Sequence, residues 1–178
     1  MNNTIKLFIT DIDGVWTDGS MYYDNQNNEF KRFSTYDSAG VLFLNQINIP
    51  TIILTGEENN IVKRRAEKLG IKQVYMGVKN KLEKVKEIVI KTDIKLSEIA
   101  YIGDDINDYA LLKSVGLSAA PNNAPIYIKD IVDWTLPIKG GDGAFRYFVE
   151  KYLNETNQLD IIINKILSEK YNFNNFSQ

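Results

Sequence analysis

The sequence predicts an α/β fold in which a parallel sheet is flanked by helices. Short apolar segments alternate along the chain with longer segments whose apolar residues recur at the helical period. The short segments contain few alternating polar residues, a pattern typical of strands buried on both faces of a parallel sheet. The length of 178 residues suits a single domain.

Strands and helices predicted from these patterns alternate along most of the chain. The predicted strands are residues 5–10, 50–54, 73–76, 99–102, 117–120 and 132–136. The predicted helices are residues 39–48, 57–69, 81–91 and 108–115, with one more amphipathic helix after residue 153. Segments 21–24 and 29–33 flank the polar linker NQNN and predict a β-hairpin. We therefore expect one domain over residues 1–153, with a hairpin at about 20–33, followed by a C-terminal helix and a flexible tail over 154–178.

The composition narrows the possible chemistry. The net charge of −2 gives no electrostatic reason to expect nucleic acid or an anionic membrane surface as a partner. The chain has no Cys, which excludes disulfides and thiolate sites, and no His, so acid–base chemistry must use Asp, Glu, Lys or Tyr. A metal site would have oxygen ligands, which favours Mg²⁺. Neither a signal peptide nor an apolar run of about 18 residues is visible, so we expect a cytoplasmic protein without membrane contact.

Polar residues collect directly after the predicted strands. Asp11 and Asp13 follow the first strand, Thr55 and Gly56 follow the second, and Lys81 comes shortly after the third. The fourth strand is followed by Asp104, Asp105, Asn107 and Asp108. Because ligands of α/β sheets bind at the carboxyl ends of the strands, we expect these side chains to share one site.

This set of side chains suits phosphoryl transfer. Clustered carboxylates repel one another and need a cation such as Mg²⁺. A hydroxyl, an ammonium and exposed backbone N–H groups form a cradle for an anion. One Asp can attack phosphorus to form an aspartyl-phosphate, and a second Asp can protonate the leaving oxygen and then activate water.

Each feature also has a simpler interpretation. The two acidic pairs could be turns or helix caps. Thr55 could be a plain turn residue, and Lys81 could be a solvent-exposed lysine at the start of a helix. The joint placement of these residues after successive strands favours the shared site.

Four short motifs resemble those of the haloacid dehalogenase superfamily, in the same order and at similar spacing. DIDGV resembles motif I, D-x-D-x-[TV], and Thr55 within ILTG resembles motif II. Lys81 within GVKNK resembles motif III, and GDDIND, residues 103–108, resembles motif IV. The resemblance implies a Rossmann-like, haloacid dehalogenase-like fold and a Mg²⁺-dependent phosphatase, because a carboxylate at Asp13 suits phosphatases better than dehalogenases.

The resemblance also implies a role for each matched residue. Asp11 would be the nucleophile and Asp13 the general acid–base, and both would contact Mg²⁺, Asp13 through its backbone carbonyl. Asp104 would ligate Mg²⁺ directly, Asp105 would add a secondary acidic group, and Asp108 would order the loop together with the neighbouring Asn. The phosphoryl group would be held by Thr55, Gly56, Lys81 and Asn107.

The chain further resembles one capless group of this superfamily, since only a hairpin fits between residues 19 and 39. Segments spread over residues 5–153, among them RRAEKLGI, YIGDDINDYALLK and GGDGAFRYFVEKYL, are similar to the 3-deoxy-D-manno-octulosonate 8-phosphate phosphatase group. Trp16 and Glu57 are more similar to the branch that acts on nine-carbon ulosonic acids of the sialic acid type, such as 2-keto-3-deoxynononate 9-phosphate. A nine-carbon ulosonate 9-phosphate is therefore the expected substrate, and the octulosonate 8-phosphate is the alternative.

Members of this group are homotetramers in which the hairpin packs around the fourfold axis and a neighbouring subunit covers the open site. The resemblance thus implies a homotetramer built through the aromatic hairpin. The alternative is a hairpin that packs on its own domain.

Candidate residues for substrate selection lie outside the four motifs. We expect Arg65, Lys68 and Arg146 to bind the substrate carboxylate, since basic side chains, Arg above all, pair with carboxylates. Glu57 would contact sugar hydroxyls. The basic run over residues 63–68 could instead be a solvated helix face.

Two functions of other classes compete with a phosphatase. A receiver module of a signalling protein also gathers acidic residues, a hydroxyl and a Lys around Mg²⁺, but its acidic pair precedes its acceptor Asp, whereas here D-x-D comes first and GDD last. A non-catalytic assembly domain would not need the residues that carry the chemistry. All of these are present: Asp11, Asp13, Thr55, Lys81 and Asp104.

Overall fold

The computed structural model describes residues 4–171, which form a six-stranded parallel sheet with helices packed on both faces. The strands are β1 Leu7–Thr10, β2 Tyr22–Tyr23, β3 Glu29–Phe30, β4 Thr51–Leu54, β5 Gln73–Tyr75, β6 Ile99–Ile102, β7 Leu117–Ala120 and β8 Trp134–Thr135. The helices are α1 Asp37–Gln46, α2 Asn60–Lys68, α3 Lys81–Thr92, α4 Tyr109–Leu112, α5 Ile126–Lys129, α6 Ala144–Glu155 and α7 Leu159–Tyr171. The sheet order is β5-β4-β1-β6-β7-β8, which confirms the predicted α/β fold.

The strand β1 lies inside the sheet, so the loop that follows it lies in the middle of the edge formed by the carboxyl ends of the strands. It pairs in parallel with β4 on one side and with β6 on the other. Successive side chains point to opposite faces of a strand, so Phe8 joins one core cluster while Leu7 and Ile9 join the other. The loops that follow β1, β4 and β6 are therefore neighbours at one edge of the sheet.

Asparagine side chains determine where two helices begin. The side-chain oxygen of Asn59 accepts a hydrogen bond from the backbone N–H of Ile61, which caps α2. Asn80 accepts one from the N–H of Glu83, which caps α3 directly before Lys81. The cap of α3 thus holds Lys81 at the first position of its helix.

Several predicted boundaries differ from the structure. The helix expected over 57–69 begins only at Asn60, because residues 57–59 form the loop after β4 and the cap of α2. The helix expected over 39–48 lies over Asp37–Gln46, and the one expected over 108–115 is α-helical only over Tyr109–Leu112. The last strand, expected over 132–136, contains two residues.

The helix α6 is absent from the sequence-based assignment, although it forms a large part of one core cluster. Its residues Phe145, Phe148 and Tyr152 are at most 3% exposed. The ring of Phe148 lies 5.4 Å from that of Phe8, and the ring of Phe145 stacks 4.9 Å from that of Trp16. The signal for α6 is present in the sequence, since these apolar residues recur at three- and four-residue intervals.

A two-stranded hairpin takes the place of a cap domain between β1 and α1. Tyr22 pairs with Phe30, and Tyr23 pairs with Glu29, in an antiparallel arrangement. Asp24 closes the turn by accepting hydrogen bonds from the backbone N–H groups of residues 26 and 28. The hairpin is short, and its large apolar side chains are mostly exposed.

The C-terminal part of the chain continues from α6 into α7. Beyond residue 171, the expected flexible tail lies outside the described residues. Over residues 4–171, no helix is both long enough and apolar enough to cross a bilayer.

We predict that Phe148→Ala lowers the free energy of unfolding by about 3–5 kcal/mol, because it removes a fully buried ring and leaves a cavity between α6 and the sheet. Chemical denaturation followed by circular dichroism measures the change. Ile90→Ala is the control, since Ile90 is 82% exposed, and it should change stability by less than about 0.5 kcal/mol. Similar losses in both variants would contradict the assignment of α6 to the core.

Candidate active site

The loop after β1 is held by three other segments of the chain. The backbone N–H of Asp11 donates to the carbonyl of Ile102 at the end of β6. The side-chain amide of Asn123 donates to the carbonyl of Gly14. A Cβ atom at Gly140 would lie 1.9 Å from that same carbonyl oxygen, so the C-terminal segment packs directly against the loop.

Gly14 allows the loops after β1 and β6 to approach each other. Its φ angle is +81°, and a Cβ atom there would lie 1.9 Å from Oδ2 of Asp104. Both observations require glycine at this position. The glycine of the D-x-D-G segment therefore brings the first and fourth motifs into contact.

A buried ion-pair cluster lies at the carboxyl ends of β1 and β6. Nζ of Lys81 lies 2.9 Å from Oδ2 of Asp11 and 2.5 Å from Oδ1 of Asp108, and the side chains of Lys81 and Asp108 are fully buried. A buried charge is costly unless it is paired. Lys81 is thus not the solvent-exposed lysine of the simpler interpretation.

Asp108 organises the loop after β6. Its Oδ1 also accepts a hydrogen bond from the hydroxyl of Tyr101, at 2.5 Å. Its Oδ2 accepts from the backbone N–H groups of Asp104 and Asp105, at 2.9 and 3.1 Å. With the ammonium of Lys81 included, four donors hold this carboxylate. Asp105 caps the turn that follows and accepts from the hydroxyl of Tyr127.

Three carboxylates are close enough to share one cation. Asp11, Asp104 and Asp108 each have an oxygen within 4.8 Å of the others. Oδ1 of Asp11 is buried and, within residues 4–171, accepts no hydrogen bond. Since Asp108 is already occupied by four donors, Asp11 and Asp104 are the better ligands. The cluster contains Asp108 rather than the carboxylate of Asp13, whose expected metal contact is through its backbone carbonyl.

The electrostatics of the cluster also fit a cation. Burial raises the pKa of Asp11 to about 7, and Asp108 adds to the increase while Lys81 opposes it. Burial, together with the charges of Asp11 and Asp108, raises the pKa of Asp104 to about 8. A divalent cation would reverse these shifts, because it favours the ionised carboxylates. The donor set is therefore that of a site for a hard ion such as Mg²⁺.

A cavity of about 220 Å³ lies beside the cluster and is lined by its members Asp11 and Asp104, but not by Asp108. Thr55, which is 1% exposed, and Gly56 line it from the loop after β4. A Cβ atom at Gly56 would lie 3.5 Å from the side-chain nitrogen of Asn107, so these two residues face each other. The remaining predicted residues that line the cavity are Asp11, Asp13, Glu57, Asp104 and Asp105.

A larger groove of about 410 Å³ lies at the opposite edge of the sheet, between α1 and the starts of β4 and β5. It contains none of the clustered carboxylates and neither Thr55 nor Lys81. The smaller cavity is therefore the one that matches the predicted chemistry.

The basic residues expected to select the substrate do not reach this cavity within one chain. The guanidinium of Arg65 donates to the carbonyl of Ser34, and Lys68 is exposed on α2. Nε of Arg146 lies 2.6 Å from a carboxylate oxygen of Glu150, one turn further along α6. The type of these residues indicated that they can pair with a carboxylate, but not the direction in which each side chain points.

Lys31 is a site residue that the sequence analysis missed. Its Nζ lies 2.7 Å from Oδ1 of Asp13, and its side chain is only 1% exposed. Burial lowers the pKa of this ammonium, but Asp13 and Glu29 beside it outweigh that effect, so the net pKa is raised and Lys31 stays charged. The available signal was a single lysine in a hairpin otherwise interpreted only as an interface.

Trp16 belongs to the core rather than to the cavity. Its ring is fully buried, its Nε1 donates to Oγ1 of Thr10, and it stacks on Phe145. Of the two residues that favoured a nine-carbon substrate, only Glu57 can therefore meet a ligand in this cavity.

Comparison with known proteins agrees with this geometry. A family model described as haloacid dehalogenase-like hydrolase matches residues 53–148. The chain belongs to the haloacid dehalogenase-like hydrolases. A relative from Haemophilus influenzae, 3-deoxy-D-manno-octulosonate 8-phosphate phosphatase, is 38% identical over 142 residues, which cover 80% of this chain and 79% of the relative. The enzyme of the same name from Escherichia coli K12 is 35% identical over 88% of this hydrolase and 83% of its own length.

Solved structures give the same relationship. The octulosonate 8-phosphate phosphatase of Moraxella catarrhalis, in complex with a magnesium ion, a phosphate ion and a KDO molecule, matches with a TM-score of 0.88 and 34% identity over 91% of this hydrolase and 93% of that chain. A probable phosphatase from Pseudomonas syringae matches with a TM-score of 0.89 and 33% identity over 93% and 94%. The chain is thus a phosphoric monoester hydrolase of the haloacid dehalogenase type, and Mg²⁺ is its cofactor.

The comparisons favour the octulosonate alternative over the nine-carbon branch that the sequence analysis preferred. The curated relatives described above bear the name of the eight-carbon enzyme. The fold and the class of reaction were therefore correctly expected, while the preference within the group receives no support from these relatives.

We predict that Mg²⁺ stabilises the protein more at high pH than at low pH. Asp11 and Asp104 bind protons more tightly in the folded protein than their usual pKa of 3.8 allows, so without metal their contribution to stability falls as the pH rises towards about 8. Mg²⁺ competes with these protons. The increase in Tm on adding Mg²⁺ should therefore be larger near pH 8 than near pH 5.5, because at roughly pH 5.5 the metal ligands are protonated.

Thermal unfolding with and without Mg²⁺ measures this difference. Asp104→Asn should lose most of the shift, whereas Asp93→Asn, an exposed substitution at the C-cap of α3, should retain it. An equal shift at both pH values would contradict a site built from these carboxylates.

Proposed function

We propose that this phosphatase hydrolyses 3-deoxy-D-manno-octulosonate 8-phosphate through an aspartyl-phosphate intermediate on Asp11. The observation that carries the proposal is the state of the Asp11 carboxylate. One of its oxygens is held by Lys81, and the other is buried in the cavity wall with no hydrogen-bond partner among the described residues. Such an oxygen is free to attack phosphorus. The names of the relatives supply the substrate class.

In the first half-reaction, Oδ1 of Asp11 forms a bond to phosphorus while the bond from phosphorus to the sugar oxygen breaks. Asp13, in its protonated form, donates its proton to the leaving oxygen, so the sugar acid departs as an alcohol. Thr55, Gly56 and Asn107 surround the cavity and would bind the oxygens of the transferring group, with the charge of Lys81 behind them.

In the second half-reaction, the carboxylate of Asp13 accepts a proton from a water molecule that attacks the same phosphorus atom. The bond from phosphorus to Asp11 breaks, inorganic phosphate leaves, and Asp13 is protonated again for the next cycle. This use of Asp13 in both directions is the feature that a receiver module lacks, because a receiver does not need to hydrolyse its own phosphoryl group rapidly.

Asp104 and Asp11, the latter through the oxygen that does not attack phosphorus, would hold Mg²⁺ together with the backbone carbonyl of Asp13. When bound, the ion supplies positive charge that offsets the negative charge on the transferring phosphoryl group. Asp108, with its four donors, would keep the loop that carries Asp104 in place.

A nine-carbon ulosonate 9-phosphate is the second candidate substrate. The supporting observation is that Glu57 lines the cavity, since a carboxylate there could accept hydrogen bonds from additional sugar hydroxyls.

We also propose that the protein forms a homotetramer in which a neighbouring subunit covers the cavity. The hairpin exposes a group of large apolar side chains, and such patches mark interaction surfaces. They are Met21, Tyr22, Tyr23 and Phe30, each 43–69% exposed. Arg65, Lys68 and Arg146 lie outside the cavity of their own chain, so a role in substrate binding would require a site shared between subunits.

We predict that the purified protein releases phosphate from the octulosonate 8-phosphate with a kcat/KM about tenfold or more above that for the deoxynononate 9-phosphate and N-acetylneuraminate 9-phosphate. Phosphate release in the presence of Mg²⁺ measures all three. A preference for a nine-carbon substrate would replace the first candidate by the second. Absence of release from every phosphomonoester would contradict the proposal as a whole.

In the same assay, Asp11→Asn should lower kcat by at least about a thousandfold, because an amide is a poor nucleophile. Asp93→Asn is the matched control, since Asp93 is exposed at the C-cap of α3 with φ of 55°, a conformation that Asn tolerates.

We predict that light scattering finds a tetramer and that Tyr23→Asp combined with Phe30→Asp reduces it to a smaller species, because both substitutions place charge in the proposed interface. Ile90→Asp, at a similarly exposed apolar position on α3, should leave the mass unchanged. A monomeric wild-type protein would contradict the proposed assembly.

A further inference from the structure

Lys31 differs from the other long side chains of the hairpin. The apolar residues Met21, Tyr23 and Phe30 are exposed, whereas the side chain of Lys31 is 1% exposed. Its ammonium lies 2.7 Å from Oδ1 of Asp13 and 3.5 Å from Oε1 of Glu29. A lysine is rarely buried to this extent unless its charge is paired. The shortest of these contacts joins the hairpin to Asp13, while Glu29 and, at 3.9 Å, Sδ of Met21 lie beside the same ammonium within the hairpin.

The two carboxylate oxygens of Asp13 have different surroundings. Oδ1 accepts hydrogen bonds from Lys31 and, at 3.3 Å, from the hydroxyl of Thr17. Oδ2 is buried and has no partner in the part of the chain that the structure describes. Lys31 and Thr17 therefore hold Oδ1, and within residues 4–171 Oδ2 is the oxygen left without a hydrogen bond for proton transfer.

We propose that Lys31 is a positioning residue that fixes the orientation of Asp13 by holding Oδ1, so that Oδ2 is left free for proton transfer. This inference rests on the proposed function, in which Asp13 donates a proton to the leaving oxygen. Lys31 has a counterpart in Lys81, which holds Oδ2 of Asp11 and leaves Oδ1 free in the same way. Each catalytic carboxylate is thus held at one oxygen and left free at the other.

The simplest competing explanation is that Lys31 only anchors the hairpin. Arg32, the next residue, provides a matched comparison, because it anchors the same hairpin without contacting Asp13. Its guanidinium lies 3.2 Å from Oδ1 of Asp142 and 3.6 Å from Oδ2 of Asp18. If anchoring were the whole role of Lys31, loss of either side chain would have the same kind of effect.

The dependence of kcat/KM on the leaving group distinguishes a positioning role of Lys31 from a role that only anchors the hairpin. The sugar alkoxide of the octulosonate 8-phosphate needs a proton to leave, whereas p-nitrophenolate leaves p-nitrophenyl phosphate with little need of one. The ratio kcat/KM reports the steps up to transfer of the phosphoryl group to Asp11, so it includes departure of the leaving group. A defect in proton donation therefore lowers kcat/KM for the sugar phosphate selectively.

The experiment compares Lys31→Met and Arg32→Met on both substrates with Mg²⁺ present. Lys31→Met should lower kcat/KM for the sugar phosphate about 10–100-fold more than for p-nitrophenyl phosphate. Arg32→Met should change the two substrates by the same factor. Lys31→Arg, which retains a cationic donor, should recover most of the selective loss. In an Asp13→Asn background, Lys31→Met should cause no further selective loss, because the proton donor is already absent.

Equal losses on the two substrates in Lys31→Met, or the same selective loss in Arg32→Met, would overturn the proposal. If Lys31→Met does not fold, Lys31→Gln is compared with Arg32→Met in the same way, and the same two results decide. Failure of the proposed function would look different, because the wild-type protein would then release no p-nitrophenolate. If the wild type cleaves p-nitrophenyl phosphate but not the octulosonate, the alkyl phosphate that it does cleave takes the place of the sugar phosphate.

Discussion

The buried ammonium of Lys81 between Asp11 and Asp108 is the interaction on which the rest of the site depends. Three separate segments meet there: the loop after β1, the first residue of α3 and the turn before α4. Removing charges from water carries a large desolvation cost, and a buried ion pair contributes little net stability. The arrangement is therefore better understood as a device that holds one oxygen of Asp11 in a defined place.

Asp11 and Asp13 are each held by a lysine at one carboxylate oxygen, and the two lysines come from different parts of the chain. The body of the domain, through Lys81, orients Asp11, while the hairpin, through Lys31, orients Asp13. Groups that are oriented before the substrate arrives need not reorganise as charge develops during the reaction, and this is a major source of catalysis in enzymes. The hairpin is thus part of the catalytic site within its own chain, in addition to any role between subunits.

Sequence reasoning predicted the parts of the site that depend on the sheet and missed those that depend on side-chain direction. Asp11, Thr55 and Asp104 follow strands of a parallel sheet, so their convergence was a consequence of the fold class. Arg65 and Arg146 were expected to bind the substrate because arginine pairs with carboxylates, yet their guanidinium groups turn to Ser34 and Glu150.

Lys31 and α6 were missed for different reasons. Lys31 reaches Asp13 across 18 positions of sequence through the shape of a hairpin, and no local pattern encodes that contact. The helix α6 had a clear apolar period that a periodicity argument could have identified. The preference for a nine-carbon substrate rested partly on Trp16, whose burial against Phe145 excludes it from the cavity.

The packing of Gly140 against the carbonyl of Gly14 has a consequence for how the protein is made. The loop after β1 is synthesised before residues 140 and 141, which back it. The backbone N–H of Gly141 donates to the carbonyl of Val15, which completes this closure. During translation the nascent chain therefore contains Asp11 before it contains the residues that hold the loop of Asp11 in place. The loop is fully backed only after residues 140 and 141 have folded against it.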